Sequence, residues 1–167
     1  VVSISGLQDP TAEGWTAGAS NDLAMSIRGQ LLSLETSSGT QGFWSQEVEP
    51  PPVMDEGLIT QMRVGVESYS LGSTPYLGVF VGGSTAHLAI PLVTRNVSTI
   101  LAEIGGVPSV ALVDNAGTLV GAFAFDFTDG ELHTYRTFID PNANIVVLKV
   151  DDVVLGNVPF SDFSAIA

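Results

Sequence analysis

Within "DGELHTYRTFID", residues 129 to 140, three side chains that could do chemistry fall within four positions: His133, Tyr135 and Arg136. Where such groups converge they transfer protons or hold anions, histidine being the one side chain that titrates unperturbed near neutrality. In a strand they do not converge. Alternation places His133, Tyr135 and Thr137 on one face and Thr134, Arg136 and Phe138 on the other, so the three cannot reach one substrate from this segment alone. The expectation is architectural, with histidine and tyrosine as hydrogen-bonded core groups. Other constellations are missing from the sequence: there is no Gly-x-Ser-x-Gly elbow, neither His87 nor His133 has a histidine partner at helical spacing, and no glycine-rich loop leads into a helix. The chain has no cysteine, which excludes disulfides, thiolate zinc sites and thiol nucleophiles.

The elements around this segment read as strands. In "ITQMRVGVES", Thr60, Met62, Val64 and Val66 alternate with Gln61, Arg63, Gly65 and Glu67, the pattern of a half-buried strand. Gly82-Gly83, Asp114-Asn115-Ala116-Gly117 and Asp151-Asp152 each stand between apolar runs and predict hairpin turns, because these residues tolerate positive φ. "VSTILAEIGG" is the only helical candidate, through Ile100, Leu101 and Ile104 with Gly105-Gly106 as cap, and it reads equally well as strand and loop. Eleven to thirteen short strands and at most one helical turn make an antiparallel β-sandwich. "EPPPVMDEG" is a stiff link between strands, and the expectation is one domain over residues 1 to 167.

Charge narrows the partners. Eighteen acidic and five basic side chains give −13, which opposes nucleic acid and anionic membrane surfaces. A mean hydropathy of +0.36 fits a packed body, yet no apolar run reaches the roughly 18 residues of a membrane helix. A chain that opens on Val1 is expected to have been trimmed, and its acidity suits a secreted or surface-displayed location.

The order of signals, "DPTAEGW", "GQLLSLET", "FWSQEV", "DGELHTYRTFID" and "NIVVLKVDDVVLG", resembles the concanavalin A-like lectin/glucanase superfamily, including its laminin G-like domains, over nearly the whole chain. Asp129, Gly130, His133, Tyr135 and Arg136 match that family's strand motif, and Val150-Asp151 begins its "V-D-G" turn, with Asp152 where glycine is usual. The resemblance implies a jelly roll of two antiparallel sheets in which the His-x-Tyr-Arg segment is structural.

It also directs attention to carboxylates, sugar-binding aromatics and calcium. Glu47 and Glu49 are the nearest match to the glucanase Glu-x-Asp-x-x-Glu strand. They would sit roughly 7 Å apart on one strand face, whereas a retaining pair stands about 5 to 5.5 Å apart. The third carboxylate is missing and Pro50 to Pro52 interrupt the strand, so no catalytic role is expected. Trp44, Tyr69, Tyr76 and Tyr135 are candidate faces for a pyranose, Tyr69 and Tyr76 within the small-residue segment "ESYSLGSTPY". Related sandwiches hold a structural calcium near the chain ends, which singles out Asp9 and Asp162. Three function classes stay open: a non-catalytic carbohydrate-binding or adhesion module, a structural decoration or fibre domain on a virus particle or other assembly, and an atypical glycoside hydrolase.

Overall fold

The alternation of residues 58 to 66 carries over directly into the computed structural model, which describes residues 8–18, 24–28, 31–35, 44–45, 57–67, 76–85 and 94–166. Met62 and Val66 are buried while Gln61, Arg63 and Glu67 are exposed, as a strand with one solvated face requires.

The chain divides into two compact units, Val1–Pro52 and Val53–Ala167. In the first, β1 (Thr16–Ala17) pairs antiparallel with β4 (Trp44–Ser45), and β2 (Ala24–Arg28) with β3 (Leu31–Glu35). A 3-10 turn, Pro10–Glu13, precedes β1, capped by the Asp9 carboxylate and closed by Gly14 in the left-handed region.

The second unit is almost entirely strand, in two antiparallel sheets. One has the order β12 (Val153–Val158), β11 (Ile145–Val150), β10 (His133–Asp140), β5 (Leu58–Val64). In the other, β7 (Thr94–Ile104) pairs with β6 (Tyr76–Thr85), β8 (Val107–Val113) and the short β13 (Ala165–Ile166), and β8 pairs onward with β9 (Leu119–Ala124). Their facing sides share one core: Met62, Tyr135, Leu148 and Val150 from the first sheet meet Leu101 and Val110 from the second, with Val66 and Phe127 beside them. Each large side chain buried in this way contributes on the order of 1.5–3 kcal/mol. A second cluster, Val97, Leu112, Ile139, Val146, Phe160 and Phe163, continues the core. Thr99 and Thr137 meet across it through their hydroxyls at 2.6 Å, so two buried polar groups satisfy each other.

Three turn expectations are met or corrected by backbone geometry. Asp151 and Asp152 have φ of 47° and 68° between the paired residues Val150 and Val153, the positive-φ pair that a two-residue type I′ hairpin needs. The Asp114 carboxylate closes its own turn by accepting from the amides of Ala116 and Thr118, and Gly117 takes the positive φ. Gly82-Gly83, by contrast, is no turn: both glycines lie inside β6, paired with Ser98 and Val97. "VSTILAEIGG" is strand, not helix. Ile100 and Ala102 belong to one buried cluster, with the half-buried Ile104 packed against it, and Leu101 belongs to another, because β7 is buried on both faces; Gly105-Gly106, with φ of 61° and 82°, is its hairpin turn into β8.

Candidate functional site

His133 begins β10 on the core-facing side, where its ring bridges two carboxylates. Nδ1 stands 2.6 Å from Asp151 Oδ2, and Nε2 stands 3.1 Å from each oxygen of Asp129. The ring meets Phe125 edge-on at 4.8 Å. Asp151 also accepts from the Thr134 amide with its other oxygen at 2.8 Å, and its own amide donates to the Thr134 carbonyl at 2.9 Å. The residues before β10 make two small Asx turns: Asp126 accepts from the amide and hydroxyl of Thr128, and Asp129 accepts from the amide of Glu131. His133 thus ties the segment before its own strand to the hairpin turn 18 residues later.

Electrostatics favour the charged pair. The hydrogen bond to Asp151, aided by Asp129, holds the His133 imidazole above its ordinary range against the opposing effect of burial. The His133 contact and the Thr134 amide hold Asp151 below the usual carboxylate range; Asp129 is lowered chiefly by the Glu131 amide. With both nitrogens facing carboxylates, the ring has none left to take a substrate proton. Below it, Tyr135 is buried in the core, which removes it from the candidate sugar contacts; its hydroxyl is without a hydrogen-bond partner and its ionisation is suppressed by desolvation.

The opposite face of this sheet is different in kind. Outward positions follow from the register: Ile59, Gln61 and Arg63 on β5, Thr134, Arg136 and Phe138 on β10, Val147 and Lys149 on β11, Val154 and Asn157 on β12. One row across the strands reads Gln61, Arg136, Lys149, Val154, and the next Ile59, Phe138, Val147, Asn157. Arg136 Nε donates to Gln61 Oε1 at 2.6 Å, and its Nη1 pairs with Asp152 Oδ1 of the hairpin turn. Lys149 Nζ lies over the Phe138 ring, 4.9 Å from its centre. Ile59 and Val154 are 60% and 52% exposed, so this face meets solvent.

Of the residues singled out from sequence, Tyr69, Glu47 and Glu49 lie outside the described residues. Trp44 is in β4 opposite Ala17, and Tyr76 opens β6 opposite Ala102; their side chains are likewise outside the description. Asp9 spends one oxygen on the amide and hydroxyl of Thr11, 2.8 and 2.7 Å away, which lowers its ionisation range. Asp162 is exposed at the end of the 3-10 turn Phe160–Asp162. Among the described residues no group of three or more histidine, aspartate or glutamate side chains is placed to hold a metal ion.

Sequence reasoning split His133 and Tyr135 from Arg136 correctly, but it did not pair His133 with Asp129 and Asp151. The four-residue step from Asp129 to His133 was a visible signal; the Asp151 contact, from the next hairpin, was not. Among the described residues no helix is long and apolar enough to cross a membrane. No family model, no curated protein and no solved structure matches the chain.

Proposed function

We propose that the chain is a non-catalytic carbohydrate-binding or adhesion module, a concanavalin A-like jelly roll carried by a secreted or surface-displayed protein. One observation carries the reading: the outer face of the β12-β11-β10-β5 sheet presents an aromatic ring, a guanidinium, an ammonium and an amide in adjacent rows on rigid strands. Apolar faces beside a few fixed polar groups are what a pyranose is recognised by. The commitment of both His133 nitrogens to carboxylates supports the non-catalytic part. Trp44, Tyr69 and Tyr76 remain further candidate sugar contacts within the same proposal.

A second reading, an assembly domain of a particle or fibre, draws on the exposed Ile59, Val153 and Val154, apolar groups of the kind that subunit contacts cover. A glycan array probed with the full chain, alongside light scattering, separates the two. The expected result is a monomer that binds a glycan and loses it in Phe138→Ala; an oligomer blank on the array overturns the carbohydrate reading in favour of assembly. Incubation with β-glucans should release no product, and cleavage abolished by Glu47→Gln would restore the hydrolase.

A further inference from the structure

We infer that the outer face of the four-stranded sheet takes an acidic polysaccharide, one bearing a carboxylate or sulfate on successive sugars. The inference rests on the carbohydrate-binding proposal above and names the ligand class for that face.

The first argument is where the cations are. The chain has five basic residues, Arg28, Arg63, Arg95, Arg136 and Lys149, against eighteen acidic ones. Three of the five project from this one face. Of the anions on or beside it, Asp152, in the turn, pairs with Arg136, Asp151 is held by His133, and Asp140, at the far end of β10, accepts from the Ala143 amide, while Glu67, just past β5, is exposed. Arg95 is elsewhere, over the Phe160 ring. At physiological salt charges are screened over about 8 Å, so a bound chain feels the charges of this face more than those farther away than that.

The second argument is hydrogen-bond polarity. Arginine and lysine only donate. Gln61 could accept, but its carbonyl oxygen is occupied by Arg136 Nε, which leaves its amide hydrogens outward in role. The row Gln61, Arg136, Lys149 is therefore a row of donors. A neutral sugar, whose hydroxyls both donate and accept, gains less from such a row than an oxyanion does, and a planar guanidinium suits carboxylate and sulfate.

The third argument is spacing. Arg136 is the register partner of Gln61 on one side and of Lys149 on the other. Neighbouring strands stand about 4.8 Å apart, close to the advance of one pyranose along an extended polysaccharide. A chain laid across the strands brings one anionic sugar to each donor while Phe138, Val147 and Ile59 in the adjacent row lie against ring C–H groups. Single-stranded nucleic acid fits less well, because Phe138 is the one aromatic ring among the outward residues of these strands and successive bases need successive rings to stack on.

The test uses the full chain and two forms of one polymer: polygalacturonate and its fully methyl-esterified, uncharged counterpart, with poly(dT) and polyglutamate as other polyanions. Polygalacturonate should bind at least tenfold tighter than the ester. With three cations engaged, affinity should fall roughly twentyfold between 50 and 200 mM salt by counterion release. Arg136→Gln with Lys149→Gln should weaken binding at least tenfold while the melting curve keeps its shape. Asp152→Asn frees Arg136 from its competitor and should tighten binding severalfold, a change of sign that a merely structural role does not give. Equal binding of acid and ester overturns the inference but leaves the carbohydrate reading standing; so does polygalacturonate binding indifferent to both variants, which places the site elsewhere. Binding of poly(dT) or polyglutamate as tight as that of polygalacturonate overturns the ligand class. No binding to any glycan, on the array or here, removes both proposals together.

Discussion

The two sheets of residues 53–167 share a core yet differ on their backs. In β7 and β8 the outward residues Ile100, Ala102, Ala111 and Val113 are as buried as the core-facing Leu101 and Val110. In β5, β10, β11 and β12 the outward residues are half-buried or exposed and include Arg63, Arg136 and Lys149. On the outward side of β7 and β8 the polar groups Ser98 and Ser109 are themselves buried, their hydroxyls donating to Asn96 Oδ1 and to the Val107 carbonyl. The four-stranded sheet has one face in the core and one in solvent, and its polar clamps, His133 on the inside edge and Arg136 outside, converge on the same turn, Asp151-Asp152.

The sharpest way to break this comparison is to put a charge on each back. Ala111 is fully buried, so Ala111→Asp strands a carboxylate without a prepared partner and should cost about 4 kcal/mol or more. The same kind of insult at the 60% exposed Ile59, Ile59→Lys, should stay within about 0.5 kcal/mol. Urea unfolding of the two variants decides it; a mild Ala111→Asp would mean that the back of β7 and β8 is open in solution.

This contrast also explains what the sequence could convey. A strand with one wet face writes its period into the chain, so residues 58–66 and 133–138 were readable position by position. A strand buried on both faces is apolar throughout, and any apolar run contains helical spacings by default, which is why Ile100, Leu101 and Ile104 imitated a helix. Gly82-Gly83 misled for a related reason: glycine pairs signal turns locally, but β6 runs on because β7 offers an eleven-residue partner. The gathering of Arg63, Arg136 and Lys149 was invisible because it depends on register between strands far apart in sequence; Gln61 and Arg136 are 75 residues apart.

Where the two sheets meet at an edge, Phe123 of β9 lies over Gly156 of β12. A Cβ at residue 156 would stand 2.0 Å from the ring, so Gly156→Ala must displace Phe123 and should cost about 3 kcal/mol. Phe123→Ala is itself destabilising, but combined with Gly156→Ala the loss should fall short of the sum, because the clash disappears. Strict additivity in a double-mutant cycle would show that the edges do not touch in this way.

The inner clamp should announce itself through pH. His133→Ala removes charge-assisted hydrogen bonds from a mostly buried ring and should cost about 2 kcal/mol near pH 5.5. Because the folded-state pKa of His133 is raised, its contribution is fully present below the unfolded value of about 6.5 and fades as pH rises through the folded one. Asp151 and Asp129 are lowered, so their contribution is present above the ordinary carboxylate value and is lost as pH falls through the depressed ones. The deficit of His133→Ala relative to the parent should therefore be greatest between these limits and shrink toward pH 9. Equal deficits at pH 5.5 and 9 would reduce His133 to packing.

The smallest effect has the opposite sign. Two hydroxyls of β10 point into the core: that of Thr137, which is paired with Thr99, and that of Tyr135, which has no partner. Burying a hydroxyl without a hydrogen bond costs about 1–3 kcal/mol, and removing it restores that cost while leaving the ring in place. Tyr135→Phe should thus stabilise the fold by about 1 kcal/mol, raising Tm by about 3 °C, whereas Thr99→Val, which orphans Thr137, should lower it. The pair tests whether the β12-β11-β10-β5 sheet carries slack polarity on its core side that the sheet of β7 and β8 does not. A fall in Tm for Tyr135→Phe would show that the hydroxyl is hydrogen-bonded in solution and that the four-stranded sheet is as fully satisfied inside as the sheet it packs on.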